Sequence, residues 1–255
     1  DPPTDWPHFL SSKTETPEGY RDRLASVLLL ERLREVNALI GYTRVEAPEE
    51  STDPDERPPM ADLSRNKPDW IPASEVHGEG IFIRFDENAV AEWEKQKAVQ
   101  ARSQKLEAGH RGWRNARGLD RDEGYPGIRY AMLHTFAHLL IRELALECGY
   151  NAASIRERIY AKSDEESPMA GVLLYTAAAD SDGTLGGLVE LGKPENLGRL
   201  IKQALDRATI CSSDPLCSEH NPGVDRSLHA AACHACTFVA ETSCERGNRY
   251  LDRAL

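Results

Sequence analysis

The residues with the clearest chemistry are five cysteines near the end of the chain. They occur in the order Cys211-x5-Cys217-x15-Cys233-x2-Cys236-x7-Cys244. A Cys-x2-Cys step brings two thiolates within reach of one tetrahedral ion, and cysteines from flanking turns can complete the shell. Thiolates favour Zn²⁺ or an iron–sulfur cluster over hard cations, and a filled four-sulfur shell leaves no open position for chemistry. The spacing therefore predicts a structural zinc site.

The five cysteines compete for four positions around one ion. Cys233 and Cys236 are the firmest candidates, and Cys244 comes next. Cys217 is favoured over Cys211 because Cys211 ends a predicted helix and can be packed there. Three nearby histidines are alternatives for one of the sulfurs: His220, His229 and His234. The alternatives to a metal are free buried thiols or a redox pair, although no strand precedes the Cys-x2-Cys step as a thioredoxin-like unit requires.

Helical periodicity predicts the elements that position these cysteines. Apolar residues recur at helical spacing over 20–40. They cover nearly all sides of 127–148, which is therefore predicted as the central buried helix, ended by Gly149. Pro194 opens an amphipathic helix that leads towards the cysteines. Two more helices are predicted, a polar one over 88–106 and a short one over 154–160.

Strand and loop signals occupy the remaining segments. Alternating apolar residues predict a half-buried strand over 81–85, and a continuous apolar run predicts another over 171–177. Residues 42–45 fit a short third strand. Prolines and acidic residues predict a solvated loop over 46–62. Glycines over 180–187 predict a tight turn, with an anion-binding loop as the alternative.

Together these elements predict an α+β protein. We expect a helix-rich domain on a small mixed sheet, with a C-terminal four-cysteine zinc module. The length of 255 residues fits one large domain or two small ones. We expect two regions: residues 1–125 with the acidic loop and a basic surface stretch, and residues 126–255 with the cysteine cluster.

The charge distribution limits how the chain can bind nucleic acid. Its 31 Lys and Arg and 42 Asp and Glu give a net charge of −11, which argues against nonspecific coating of nucleic acid. Residues 95–121 nevertheless carry eight basic and two acidic side chains. This stretch is either a solvated face or a contact to the DNA backbone, with an aromatic ring available for stacking. The candidate nucleic-acid contacts are Arg111, Trp113, Arg114 and Arg117.

A histidine pair in the central helix carries an alternative function. His134 and His138 stand four residues apart, a spacing that can present two imidazoles to one metal. We interpret them as a packed or hydrogen-bonded core pair. The alternative is a metal-dependent hydrolase or nuclease that combines them with Asp180 and Asp182. That enzyme requires the four groups to converge on one solvent-open pocket.

Several classes of protein are disfavoured by what the sequence lacks. It has no apolar run of about 18 residues and no basic-then-apolar start, so we expect neither a membrane span nor a signal peptide. Clustered cysteines without framework spacing indicate a reducing, cytoplasmic compartment. The sequence contains no Gly-x4-Gly-Lys-Ser/Thr phosphate loop, so we do not expect it to hydrolyse ATP alone.

Several motifs in combination resemble a known family. The motifs are LHTFAHLL at 133–140, YTA at 175–177, DGTLGG at 182–187, CSSDPLC at 211–217 and ACHAC at 232–236. Together they resemble the DrmB family of the DISARM phage-defence system, whose zinc-binding region is similar to that of MrfA-type DNA-repair helicases. LREV at 33–36 and GEGIF at 78–82 extend the resemblance over nearly the whole chain. It corresponds to the C-terminal part of the longer family protein.

The resemblance implies both a partner and a ligand set. The chain would be a non-catalytic subunit that binds a DISARM helicase, DrmA, and acts with it on DNA. Residues 126–255 would form an MrfA-type zinc-binding domain. In MrfA-type helicases the matching Cys-x2-Cys step is combined with one cysteine before it and one after it. This pattern favours the set Cys217, Cys233, Cys236 and Cys244, with Cys211 as the alternate first ligand.

Overall fold

The computed structural model describes residues 6–43, 60–66, 68–149, 151–164, 166–176 and 187–255. These residues form a five-stranded sheet with strands β1 (Phe9–Thr14), β2 (Leu24–Ala38), β3 (Ala73–Phe85), β4 (Ile155–Lys162) and β5 (Met169–Thr176). The order across the sheet is β1-β2-β3-β5-β4, and every neighbouring pair is antiparallel. The predicted α+β class is confirmed. The sheet is antiparallel and not mixed, because the helical connection from β3 leads to the edge strand β4 and β5 then returns between these two strands.

Six helices accompany the sheet in the described residues. They are α1 (Glu87–Glu94), α2 (Lys97–Asn115), α3 (Gly127–Cys148), α4 (Gly187–Leu191), α5 (Pro194–Ala208) and α6 (Pro222–Asp225). The predicted polar helix over 88–106 is divided between α1 and α2. Asp86 starts α1 because its carboxylate accepts a hydrogen bond from the Ala89 N–H at 2.9 Å. The helix opened by Pro194 is confirmed.

The prediction of a helix over 20–40 is wrong, because this segment contains the long strand β2. β2 pairs with β1 on one side and with β3 on the other. Its register with β3 shifts twice, between Leu24 and Ser26 and between Leu30 and Leu33. Each irregularity changes which side chains face the core, so apolar residues fall at three- and four-residue spacings along a strand. This spacing imitates a helix.

The prediction of a short helix over 154–160 is also wrong, because β4 occupies this segment. β4 pairs along its length with β5. Its inward positions include Ile155, which has no exposed surface, and Glu157, which is 2% exposed. A buried glutamate at an inward position interrupts the apolar alternation by which a strand is normally identified.

Helix α3 is the central buried helix, as predicted. It packs against β4, β5, α2 and α5. Leu133, Leu140 and Leu144 are fully buried along it. Gly149 ends the helix in the left-handed conformation, with φ of 68°. Because α3 contacts the sheet and several other helices, its side chains reach several parts of the molecule.

The two regions expected from the sequence are connected by this architecture. β3 belongs to residues 1–125 and pairs with β5, which belongs to residues 126–255. The C-terminal segment also returns to the first region. Asp252 is fully buried and accepts hydrogen bonds from Nε and Nη2 of Arg102 in α2, at 2.5 and 2.6 Å. The shared sheet and ion pairs such as Arg102–Asp252 and Arg129–Glu94 therefore join the two regions.

Some predictions fall on residues outside the described ranges. These are most of the loop over 46–62, part of the strand over 42–45 and all of the glycine-rich turn over 180–187 except Gly187, where α4 begins. Tyr42 forms an isolated antiparallel bridge with Ala61. In the described part of the chain, every helix is too short or too polar to cross a lipid bilayer.

The close approach of β3 and β5 gives a first prediction. A Cβ at Gly78 would overlap the carbonyl oxygen of Thr176, which belongs to the backbone and cannot turn away. We expect Gly78→Ala to lower the free energy of unfolding by about 1–3 kcal/mol, as overpacking does elsewhere. The measurement is the urea midpoint. Gly112→Ala is the matched control, because its Cβ would meet no atom closer than 4.0 Å and would favour α2. Equal midpoints for the two variants would contradict the prediction.

Candidate metal centre

Four cysteine sulfurs converge beyond the end of α5. The Sγ of Cys233 lies 3.6 Å from that of Cys211 and 3.6 Å from that of Cys236. The Sγ of Cys217 lies 3.8 Å from that of Cys236. All four sulfur atoms lie within 4.8 Å of one another. Four sulfurs placed 2.3 Å from a tetrahedral zinc ion are separated by roughly 3.8 Å, so the group has the dimensions of a zinc site.

Local structure positions the first two cysteines. Cys211 follows the end of α5 by three residues, and α5 is held against α3. Cys217 lies in a short 3₁₀ helix over Pro215–Glu219. Asp214 starts this turn, because its carboxylate accepts a hydrogen bond from the Leu216 N–H at 2.8 Å. The turn directs the Cys217 sulfur inwards, where the residue is 5% exposed.

The Cys-x2-Cys loop supplies the other two sulfurs. The N–H groups of Cys236 and Thr237 donate to the Cys233 carbonyl at 3.2 and 3.0 Å. The Thr237 hydroxyl donates to the Cys236 sulfur at 3.2 Å. Arg142 of α3 holds the loop by donating to the carbonyls of His234, Ala235 and Phe238. These hydrogen bonds alone therefore hold the loop against the central helix.

Burial and nearby hydrogen-bond donors act in opposite directions on the thiols of the cluster. Burial raises the pKa of Cys217 to about 12 and raises the pKa of Cys233 above its usual value. Backbone N–H groups of Asp214 and Ser213 instead lower the pKa of Cys211 to about 7. Arg253, which the sequence reasoning missed, brings its guanidinium to the Cys217 sulfur and favours the thiolate. A zinc ion would supply the remaining positive charge.

The expected ligand set differs from the geometry at one position. The expected set contains Cys244, with Cys211 as the alternate to Cys217, whereas the clustered sulfurs are those of Cys211, Cys217, Cys233 and Cys236. The Cys244 sulfur lies outside this cluster, 3.1 Å from Nε2 of His134 in α3. Cys211 joins the cluster because α5 packs on α3 and places Cys211 beside Cys233. The spacing of the cysteines along the chain does not reveal this packing.

The three histidines named as alternative ligands are occupied elsewhere. His220 contacts the Ser227 hydroxyl at 2.7 Å and the Asp225 carboxylate at 3.1 Å. His229 stacks on His220 with 4.9 Å between ring centroids. His234 packs its ring edge to face with Phe238. Among the described residues, the group of ligand atoms at the four sulfurs consists of cysteines alone.

Two of the four candidate nucleic-acid contacts are buried. Trp113 is 8% exposed and Arg114 has no exposed surface. The Arg114 guanidinium donates to the Asp120 carbonyl and to the Glu123 carboxylate, so it closes the turn after α2. In this fold Trp113 and Arg114 therefore present little or no surface to nucleic acid.

The other two candidates remain at the surface. Arg111 is about half exposed, but it pairs with Glu107 at 3.0 Å and with Asp122 at 2.8 Å. Arg117 is exposed and stacks over the Trp113 ring, 3.8 Å from its centroid. The positive charge counted along the sequence is thus partly neutralised by acids that the fold brings close.

The described residues do not form the solvent-open pocket that the enzyme alternative requires. His134 and His138 have no exposed surface, so they do not line a solvent-open pocket. Asp180 and Asp182 lie outside the described residues.

The fold and the sulfur cluster define a zinc-binding module built on an α+β scaffold. Residues 136–237 match the family described as the MrfA Zn-binding domain. This range contains all four clustered cysteines and ends before Cys244. The predicted cofactor, Zn²⁺, is confirmed by the match to a zinc-binding family and by a cluster of four cysteines suited to hold it.

The similarity to a curated protein is more specific. The chain is 43% identical over 252 residues to the DISARM protein DrmB of Bacillus paralicheniformis. The alignment covers 97% of this chain and 43% of that protein, so the chain spans less than half of its relative. The predicted resemblance is confirmed. A crystal structure of the DUF1998 helicase MrfA bound to DNA gives a TM-score of 0.37 at 9% identity, covering 84% of this chain and 22% of that one. We draw no conclusion from structural similarity at this level.

The ligand set gives a second prediction. We expect Cys211→Ser to weaken zinc binding at the four-sulfur cluster by more than about 100-fold, because four ligands share roughly 10–16 kcal/mol in structural zinc sites. Titration with a chromophoric chelator measures this affinity. Cys148→Ser is the control, since the Cys148 sulfur lies outside the four-sulfur cluster. Unchanged affinity in Cys211→Ser would remove Cys211 from the ligand set.

Proposed function

We propose that this protein is a non-catalytic accessory subunit of a DISARM-type antiphage complex, which binds the helicase DrmA through its zinc module and assists DNA binding. The observation that carries the proposal is a pair of exposed apolar side chains beside the sulfur cluster. Leu216 is 62% exposed and Val224 is 74% exposed. They line one depression together with Cys217 and Cys233.

The local backbone keeps these two side chains in the solvent. Leu216 lies in the 3₁₀ helix next to Cys217, and Val224 lies in the single turn of α6. Asn221 starts α6 by accepting a hydrogen bond from the Gly223 N–H at 3.2 Å. Ile210, next to Cys211, is also 74% exposed. Apolar side chains held at the surface of a rigid module favour burial against another protein.

A binding role fits the closed character of the cluster. Four sulfurs around one ion leave no position for water or substrate, so zinc would stabilise a surface and would not carry chemistry. The module is small, and an ion can replace the apolar burial that it lacks. Free thiols at such a cluster persist in a reducing compartment, which supports action in the cytoplasm.

A contact to DNA is the second part of the proposal. Arg117 and Arg249 both stack on the Trp113 ring, with distances of 3.8 and 5.4 Å to its centroid. Arg246 stacks on Tyr130 and Tyr250 close by. Aromatic rings orient these guanidinium groups without neutralising them, so the arginines remain available to phosphates. The net charge of −11 makes this a supporting contact within a complex.

The partner surface gives a third prediction. We expect the double variant Leu216→Lys with Val224→Lys to weaken association with DrmA at least tenfold, because two charges would have to be buried in the interface. Isothermal titration calorimetry on the purified proteins measures the Kd. Leu146→Lys is the matched control, since Leu146 is 66% exposed at the end of α3. Unchanged association in the double variant, with the zinc content retained, would reject the proposed surface.

The arginines on Trp113 give a fourth prediction. We expect Arg117→Ala with Arg249→Ala to weaken duplex binding by the complex and to reduce the salt slope of log K by about 1–2, because each lost phosphate contact removes about 1. A fluorescence-anisotropy titration at several salt concentrations measures both. Arg111→Ala is the control, since Arg111 is already paired with two carboxylates. An unchanged slope in the double variant would exclude these contacts.

A further inference from the structure

A second group of metal-ligand side chains lies in the core, separate from the four sulfurs. It consists of His134 and His138 from α3, Glu157 from β4 and Cys244 from the C-terminal loop. Three of the four are at most 2% exposed, and Cys244 is 8% exposed. The group unites three parts of the chain that are distant in sequence.

The ligand atoms of this group converge on one point. Nε2 of His134 lies 2.9 Å from Oε1 of Glu157 and 3.1 Å from the Cys244 sulfur. Nε2 of His138 lies 3.3 Å from the same Glu157 oxygen. All four atoms lie within 4.8 Å of one another. Nitrogen, oxygen and sulfur ligands of a tetrahedral zinc ion are separated by roughly 3.3–3.7 Å, so a small outward shift of the side chains makes room for the ion.

Hydrogen bonds around the group orient these atoms as electron-pair donors. Nδ1 of His138 faces the Thr237 carbonyl at 3.1 Å. A carbonyl only accepts, so Nδ1 carries the hydrogen and the neutral ring presents a lone pair at Nε2. That lone pair faces the Glu157 carboxylate, which also only accepts. Two acceptors at this distance need a metal ion or a proton between them, and a carbonyl that accepts from the far side of the ring is typical of a metal-bound histidine.

The surroundings of the Cys244 sulfur also favour its metal-binding form. The N–H groups of Asn248 and Arg246 point at the Cys244 sulfur, at 3.1 and 3.4 Å. The turn that presents them has positive φ at Gly247 and Asn248. Backbone donors directed at a sulfur stabilise the thiolate, which is the form that binds metals.

Two buried polar atoms of the group have no hydrogen-bond partner among the described residues. They are Oε2 of Glu157 and Nδ1 of His134. A carboxylate that is enclosed in the core normally has both oxygens satisfied, since leaving one unpaired is costly. An ion at the centre of the group would compensate the charge of this carboxylate directly.

We propose that His134, His138, Glu157 and Cys244 bind a second zinc ion in the core of the protein. Two imidazoles, a carboxylate and a thiolate form a mixed nitrogen, oxygen and sulfur shell that zinc accepts. The shell is closed and buried, so the ion ties α3, β4 and the C-terminal loop together. Thr237 links the two metal groups, because its carbonyl accepts from His138 while its hydroxyl donates to Cys236. The proposal is independent of the partner and DNA contacts.

Without a metal, protons would have to hold the group together. Burial opposes a charge on His134, but Glu157 and Cys244 outweigh burial and raise the pKa of this imidazole to about 10. Burial likewise disfavours the Cys244 thiolate, but His134 and His138 lower its pKa to about 7. A network of imidazolium, carboxylate and thiolate is therefore the competing description, and it contains no zinc.

The zinc content of the purified full chain distinguishes a second zinc site from the protonated network. We expect inductively coupled plasma mass spectrometry to find two zinc ions per chain, and one after Cys244→Ser. Cys148→Ser is the matched control and should keep both, because its sulfur belongs to neither group. One zinc per unaltered chain would overturn the proposal in favour of the protonated network.

A second measurement needs no variant and covers the case in which Cys244→Ser does not fold. X-ray absorption at the zinc edge of the unaltered chain reports the average ligand shell. A four-sulfur ion together with an ion bound by two histidines, a glutamate and a cysteine averages about 2.5 sulfur and 1.5 nitrogen or oxygen neighbours. A pure four-sulfur shell would overturn the proposal. Neither outcome depends on whether the helicase binds.

Discussion

Neutralisation of electron-rich side chains in a dry interior is the constraint on which this structure depends. Thiolates, carboxylates and imidazole lone pairs repel one another when a fold brings them together away from water. Four cysteines meet in one such group, and two histidines, a glutamate and a cysteine meet in another. A positive charge at the centre of each group would offset this repulsion. The guanidinium of Arg253 contributes at the four sulfurs, where it interacts with Cys217.

Helix α3 makes both groups possible. His134 and His138 point to one side of it, and Arg142, one turn further along, holds the carbonyls of the Cys-x2-Cys loop. The helix also packs on α5, which delivers Cys211. Because Leu133, Leu140 and Leu144 are fully buried, the helix cannot rotate without exposing them. The rigid core thereby fixes a zinc module whose own apolar content is small.

The errors of sequence interpretation have identifiable causes. β2 imitates a helix because two irregularities interrupt its alternation. The sequence of β4 does not show strand alternation, because Glu157 occupies an inward position that normally carries an apolar residue. This residue lies at the second ligand group, and functional positions are where local sequence rules are expected to fail. The basic stretch was overestimated because Glu107 and Asp122 are brought to Arg111 only by the turn after α2.

The sequence by itself determined the chemistry and the strongest elements. The Cys-x2-Cys step indicated zinc, and periodicity located α3, α5, β3 and β5, because these signals depend on neighbours along the chain. The tertiary structure decided which cysteines meet. Cys211 and Cys233 are 22 residues apart and Cys244 is 110 residues from His134. Their distances in space follow from how α5 and the C-terminal loop pack on α3, and local patterns carry no information about that packing.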